Sequence, residues 1–303
     1  AGEPPEVEFS DWIELHNSGA AAIDISGWGL SDNSDPLKWR FPPGTSINAG
    51  DYLLLLADEQ DDFNGQGAYL HTNFKLDKSG ETVTLSDAGG VLQSEIPGGF
   101  PKQYNTYTYG WIDSSSTWGY FANATPGAQN SPAVVGEVFS DHADAPDFEP
   151  KGGFYEGAQT ISLTSDTQGA QIRYTFDGTE PTSTTGSVYS GPFVVDPVNI
   201  RTGTVVRARS FAVGQIPSKT KTHTFLIDQH PAINTIPALI FSGDPEESFY
   251  KPHGIMAIVG GVYIQYKWSN TGPDSYNIPA GRGRPYERPC HLEFYPPDGS
   301  PGF

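Results

Sequence analysis

The chain has 303 residues, room for about two ordinary domains that each bury a core without metal or disulfide staples. Its 36 acidic and 17 basic side chains give a formal net charge of −19, a field that repels phosphate backbones and anionic headgroups and argues against nucleic acid or a membrane surface as partner. A single cysteine, Cys290, excludes an internal disulfide framework and a multi-cysteine zinc site.

Thirty-five glycines and 26 prolines lie between short apolar runs, with one methionine in the whole chain, a pattern of many strands joined by turns and of very little helix. The sequence shows no charged-then-apolar leader and no run of about eighteen apolar residues, so an exported protein is expected to be present here in processed or trimmed form. In chain order, Trp12-Ile13-Glu14-Leu15-His16 and Glu81-Thr82-Val83-Thr84-Leu85 alternate apolar with polar, as half-buried strands do. Tyr52 to Ala57 is a continuous apolar run, expected to be covered on both faces. Turn signals separate these runs: Asn17-Ser18-Gly19, Asn48-Ala49-Gly50-Asp51, Lys78-Ser79-Gly80 and Asp87-Ala88-Gly89-Gly90. Short strands at this spacing predict a sandwich.

The series Phe9-Ser10-Asp11-Trp12-Ile13-Glu14-Leu15-His16-Asn17, Ile23 to Asp32, Trp39-Arg40-Phe41-Pro42, Leu70 to Leu76, Trp118-Gly119-Tyr120-Phe121 and Thr125 to Asn130 resembles a bacterial lamin-tail domain. The resemblance implies an immunoglobulin-like sandwich over about 1–132, with Trp12, Trp28 and Trp39 in its core. It also implies an opening strand ahead of Asp11, which is not present before Ala1. An edge left open in this way is expected to invite strand addition, and head-to-tail addition between copies would propagate into a filament.

Residues 133–147 read as an acidic linker ending in Asp144-Ala145-Pro146-Asp147. Beyond it, Gln159 to Leu163, Gln171 to Phe176 and Thr204 to Phe211 again alternate by two. Ile172-Arg173-Tyr174-Thr175-Phe176-Asp177-Gly178-Thr179-Glu180-Pro181-Thr182, Tyr189-Ser190-Gly191-Pro192 and Val206-Arg207-Ala208-Arg209 resemble the immunoglobulin-like domain at the C-terminus of bacterial chitobiases and hexosaminidases, over 148–228. Such a module is an appendage and does not bring hexosaminidase chemistry with it. Within 229–303, Ile236 to Phe241 and Gly281 to Phe294 resemble the opening of the spore-coat-protein-H kinase-like family, cut short at Phe303. The fold class expected is therefore all-β, tandem immunoglobulin-like β-sandwiches with a C-terminal β-rich partial domain.

No complete catalytic set is legible. Phosphoryl transfer needs a lysine and metal-holding carboxylates on separate elements, which the kinase-like resemblance places beyond the end of this chain. Gly281-Arg282-Gly283-Arg284 lacks a following helix and meets Pro285 and Pro289, so it reads as a basic turn rather than a phosphate cradle. Acidic residues are plentiful (Glu8, Asp11, Glu14, Asp32, Asp35, Asp58, Asp61, Asp62), but alternation alone brings no two of them to a glycosidase separation. Gln60 to His71 fails as a calcium loop, because its first and twelfth positions are not acidic. Irregular calcium sites in sandwich loops have two candidate clusters, Asp32, Asn33 and Asp35, then Asp58, Asp61 and Asp62, although the fold requires no cofactor. Tyr107 and Tyr109 share one face of an alternating segment and are the candidate platform for a glycan. The function expected is a non-catalytic structural or adhesion protein of the cell surface or extracellular space, bacterial by resemblance, whose partners are proteins (itself included) or glycans. The alternative is the glycan-binding accessory region of a larger secreted enzyme.

Overall fold

The computed structural model describes residues 10–64, 67–196, 203–230, 235–250, 254–255, 262–265, 267–269, 287–297 and 302. The Glu8 and Gly281 to Arg284 readings, and about half of the kinase-like segment 229–303, lie outside them. The fold is nearly all β, 40% strand against 5% helix, and contact clustering divides it into two compact units, Ala1–Ser140 and Asp141–Phe303.

The first unit holds β1 (Asp11–His16), β2 (Ile23–Asp24), β3 (Gly29–Ser31), β4 (Trp39–Arg40), β5 (Ser46–Ile47), β6 (Tyr52–Ala57), β7 (Leu70–His71), β8 (Thr84–Ser86), β9 (Leu92–Glu95), β10 (Thr108–Ile112), β11 (Thr117–Phe121) and β12 (Val138–Phe139). They form sheets β1-β6-β7, β4-β3-β8-β9, β10-β11-β12 and the pair β2-β5. Alternation along β1 turns Ile13 and Leu15 to a core of Ile25, Leu30, Trp39, Phe41, Ile47, Leu55 and Phe74. Trp39 fills that core, with its ring edge-on to Phe41 at 4.8 Å, and Trp28 packs against it. Trp12 does not belong to it: one residue from Ile13, it stands on the opposite face of β1, where the pleat must put it. The β6 run is fully buried only at Leu55 to Ala57 and half-buried from Tyr52 to Leu54. The turn after β1 is closed by Asn17, whose Nδ2 donates to the carbonyls of Ala21, Ile47 and Asn48 at 2.8–3.0 Å while its Oδ1 accepts from the Gly19 amide.

The second unit contains β13 (Asp141–His142), β14 (Asp147–Glu149), β15 (Gly153–Tyr155), β16 (Gln159–Thr164), β17 (Gln171–Thr175), β18 (Ser187–Val188), β19 (Phe193–Val195), β20 (Thr204–Phe211), β21 (Gln215–Ile216) and β22 (Lys221–Ile227), then β23 (Ala238–Ser242), β24 (Val262–Ile264), β25 (Lys267–Ser269) and β26 (His291–Tyr295). Sheets β14-β16-β19 and β15-β22-β20-β17-β18 enclose Phe148, Ile161, Leu163, Ile172, Val195, Val206, Ala208, Phe225 and Ile227. Burial along β20 alternates strictly, Thr204, Val206, Ala208 and Ser210 inward and Arg207 and Arg209 outward. Antiparallel β23 and β26 pair with each other, and β26 is fastened to β22 by a buried carboxylate. Glu293, 2% exposed, accepts from the Thr224 amide at 3.0 Å, from Thr224 Oγ1 at 2.5 Å and from the Tyr295 hydroxyl. Three donors on one carboxylate offset its removal from water, and burial first, then the bond to the Glu293 carboxylate and its charge, raise the Tyr295 hydroxyl well above the ordinary tyrosine range, with the Thr224 backbone opposing.

Candidate functional site

One groove of about 920 Å3 runs through the first unit. One bank is the unbroken stretch Ser10 to Ser18, which contains β1, and the other is Gln103 to Trp111, which enters β10. Between the banks, Ile13, Leu15, Trp28, Leu76, Val83 and Leu85 form an apolar floor; each packs against the buried core but is only partly buried itself.

The β10 bank is aromatic because alternation and register concur. Tyr109 and Trp111 share one face of β10 and lie opposite Tyr120 and Trp118 of β11, while Ile112 and Phe121 turn inward onto Val135. Tyr109 stacks on Trp118 with centroids 5.9 Å apart and planes at 15°, and Trp111 meets Trp118 edge-on at 5.7 Å. Trp111 stays 40% exposed. Burial raises the Tyr109 hydroxyl, so it is a neutral donor at ordinary pH. Tyr107 also lines the groove, its ring edge-on to Phe139 at 5.7 Å. The two tyrosines chosen from the sequence thus border one groove, together with Trp111 and Trp118. Those tryptophans could not be added from alternation alone, because the strip arises from the β10–β11 register.

Carboxylates line the same groove. Burial raises Glu14, against the opposing hydrogen bond that its Oε2 accepts from the Gly127 amide at 2.6 Å. Burial likewise raises Asp11, against a hydrogen bond from the Leu76 amide and the nearby Lys75 charge. Asp77, Glu95 and Asp113 add further acid, with Lys78 and His16 as the basic side chains of the lining. His16 stacks on Tyr52 at 4.3 Å and 10°.

The calcium candidates lie elsewhere, and Asp32, Asn33, Asp35 and Asp58 are engaged by protein groups. Asp32 holds Lys38 Nζ at 2.7 and 2.9 Å. Asn33 Oδ1 accepts from the Asp35 amide at 2.8 Å and Asp35 Oδ1 from the Leu37 amide at 3.1 Å, as turn residues do. In the second cluster Asp58 is buried against His71 Nδ1 at 2.9 Å, while Asp61 and Asp62 stand exposed on a helical turn, Asp61–Phe63. Among the described residues, no three His, Cys, Asp or Glu side chains are grouped as a metal site, and no helix is long and apolar enough to cross a membrane.

Comparison with known proteins fits this layout. Residues 2–97 match the Lamin Tail Domain, and residues 150–222 match the Chitobiase/beta-hexosaminidase C-terminal domain. A curated relative, the Endoglucanase of Clostridium saccharobutylicum, is 32% identical over 178 residues, which are 57% of this chain and 31% of that protein. The chain therefore spans less than a third of that relative's length. What the sequence carries is two immunoglobulin-like, non-catalytic domain types in tandem, the first matching the Lamin Tail Domain and the second the chitobiase C-terminal domain.

Proposed function

We propose that this chain is a glycan-contacting accessory region of a larger extracellular carbohydrate-processing protein. The observation that carries the reading is the strip Tyr109, Trp111 and Trp118. Flat rings with an exposed tryptophan offer the apolar faces on which sugar rings stack, and the neighbouring carboxylates offer acceptors for sugar hydroxyls. The chitobiase-type match and the similarity to a protein named Endoglucanase support a carbohydrate setting. The reading invokes no calcium; Asp32 is bonded to Lys38 and Asp58 to His71.

Calorimetry with cello- and chito-oligosaccharides, beside sedimentation with insoluble cellulose and chitin, tests the reading. Binding by the native chain should weaken at least about tenfold in Trp111→Ala, the effect of losing one central aromatic contact. Tyr109→Ala should weaken it through loss of the stacked pair. Absence of binding to every glycan tried, or binding indifferent to both substitutions, would overturn it.

A further inference from the structure

We infer that the floor of the groove is an acceptor site for an extended strand of another protein, apolar at alternate positions and neutral or basic at those between. The inference concerns the floor and the strand edges, and does not depend on the aromatic strip holding a sugar.

Three observations lead to it. First, both banks are strand edges. Among the described residues, sheet β1-β6-β7 ends at β1 and sheet β10-β11-β12 ends at β10, and each bank contributes nine consecutive residues to the lining. The Leu56 carbonyl accepts from the Thr72 amide at 2.9 Å on the β7 side, and Leu56 sits opposite Trp12. Ladder alternation therefore turns the peptide groups of Trp12, Glu14 and His16 away from β6, toward the groove. Such edges take an added strand through main-chain bonds.

Second, the floor is an unfinished core. Ile13, Leu15, Val83 and Leu85 pack on buried neighbours from one side and line the groove on the other, so a strand whose alternate side chains point down would complete their burial.

Third, charge selects the occupant. Asp11, Glu14, Asp77, Glu95 and Asp113 surround the floor, and Lys78 Nζ is already bonded to Asn105 at 2.9 Å. A second copy carries the same net −19 and is repelled. In sequence, residues 1–9 carry three glutamates and Pro4-Pro5, which lack amide hydrogens, a poor match to a floor that needs donors and apolar side chains. A strand with lysine or arginine at its outward positions meets both needs.

The test uses ten-residue peptides alternating valine with lysine, valine with glutamate, and a scrambled lysine version, added to the intact chain. The readouts are tryptophan fluorescence and amide hydrogen exchange. The lysine peptide should bind and slow exchange at Trp12, Glu14 and His16 at least tenfold, with the glutamate and scrambled peptides at least tenfold weaker. His16→Pro removes an outward amide and leaves the β6 ladder bonded, so it should lose the peptide, while His16→Ala, which loses the same stack on Tyr52 but keeps the amide, should retain it. Equal binding of the three peptides, or unchanged binding by a folded His16→Pro, overturns the proposal. So does protection of those amides without peptide, whether in a monomer that fills its own groove or in an oligomer of copies. Protection of the same amides by an oligosaccharide overturns it as well. Trp118→Ala, in β11 and outside both banks, should weaken oligosaccharide binding and leave peptide binding intact, so failure of the sugar reading and failure of this one are told apart.

Discussion

At the scale of single residues, His223 gives the second unit a dependence on acid. Its ring lies edge-on to Phe148 at 4.8 Å with its side chain 17% exposed, and its buried Nε2 has no partner. Burial first, then the Lys221, Lys151 and His291 charges, lower its pKa to about 4, with Asp147 opposing. The Glu293 carboxylate lies 3.9 Å away, beyond hydrogen-bond reach. Because the folded value lies below the unfolded 6.5, the unfolded chain takes up the proton first. Stability is then complete above about pH 6.5 and is lost as pH falls through about 4, in total by about 3 kcal/mol. Urea unfolding of the second unit between pH 7 and 4 should show this slope, and His223→Gln should flatten it. A slope unchanged in that variant would assign the acid sensitivity to other groups.

At the scale of elements, the longest alternations were legible as strands. The Trp12 to His16 alternation emerges as Asp11–His16 and the Thr204 to Phe211 alternation as that strand, and Asn17-Ser18-Gly19 makes the turn that its side chains demand, whereas Glu81 to Leu85 is a strand only from Thr84, with Glu81 in an isolated bridge to Phe100. Val206 shows how much one inward position carries. Fully buried among Phe148, Ile161 and Phe225, it should lose about 2 kcal/mol on Val206→Ala, from the methyl groups withdrawn and the cavity left. Arg207→Ala, on the outward face, removes a hydrogen bond to the Gly178 carbonyl rather than core packing and serves as the comparison, with both read by denaturant midpoint. The candidate site was half legible. Tyr107 and Tyr109 follow from spacing within one segment, but Trp118 joins Tyr109 through strand pairing, which periodicity does not encode. Glu293 was invisible for the same reason, since its partner Thr224 lies 69 residues away and neither neighbourhood hints at burial. Trp12 misled because a tryptophan in a recurring motif looks like core, whereas its place in the pleat decides.

At the scale of the whole molecule, charge and modularity are the governing facts. The excess of carboxylates keeps copies apart near neutrality, and the same excess disappears as they protonate. Solubility should therefore pass through a minimum near pH 4.5, where turbidity and light scattering should peak, and recover on either side at low salt. A minimum near neutrality would mean that association is governed by exposed apolar surface rather than by charge. Each compact unit encloses a core of its own.

The Glu293 fastening has a consequence for where a module begins and ends as an inheritable piece. The similarity to the chitobiase-type domain stops at residue 222, inside β22 (Lys221–Ile227), two positions before Thr224. Thr224 turns its amide and hydroxyl toward a carboxylate that arrives from β26. A gene segment transplanted at the boundary of similarity would thus cut a central strand, and one transplanted at Ile227 would leave those two donors facing whatever sequence the new host supplies. Recombination that preserves the fold has to carry a hydrogen-bond acceptor with it, and this sets a heredity unit longer than the recognisable domain.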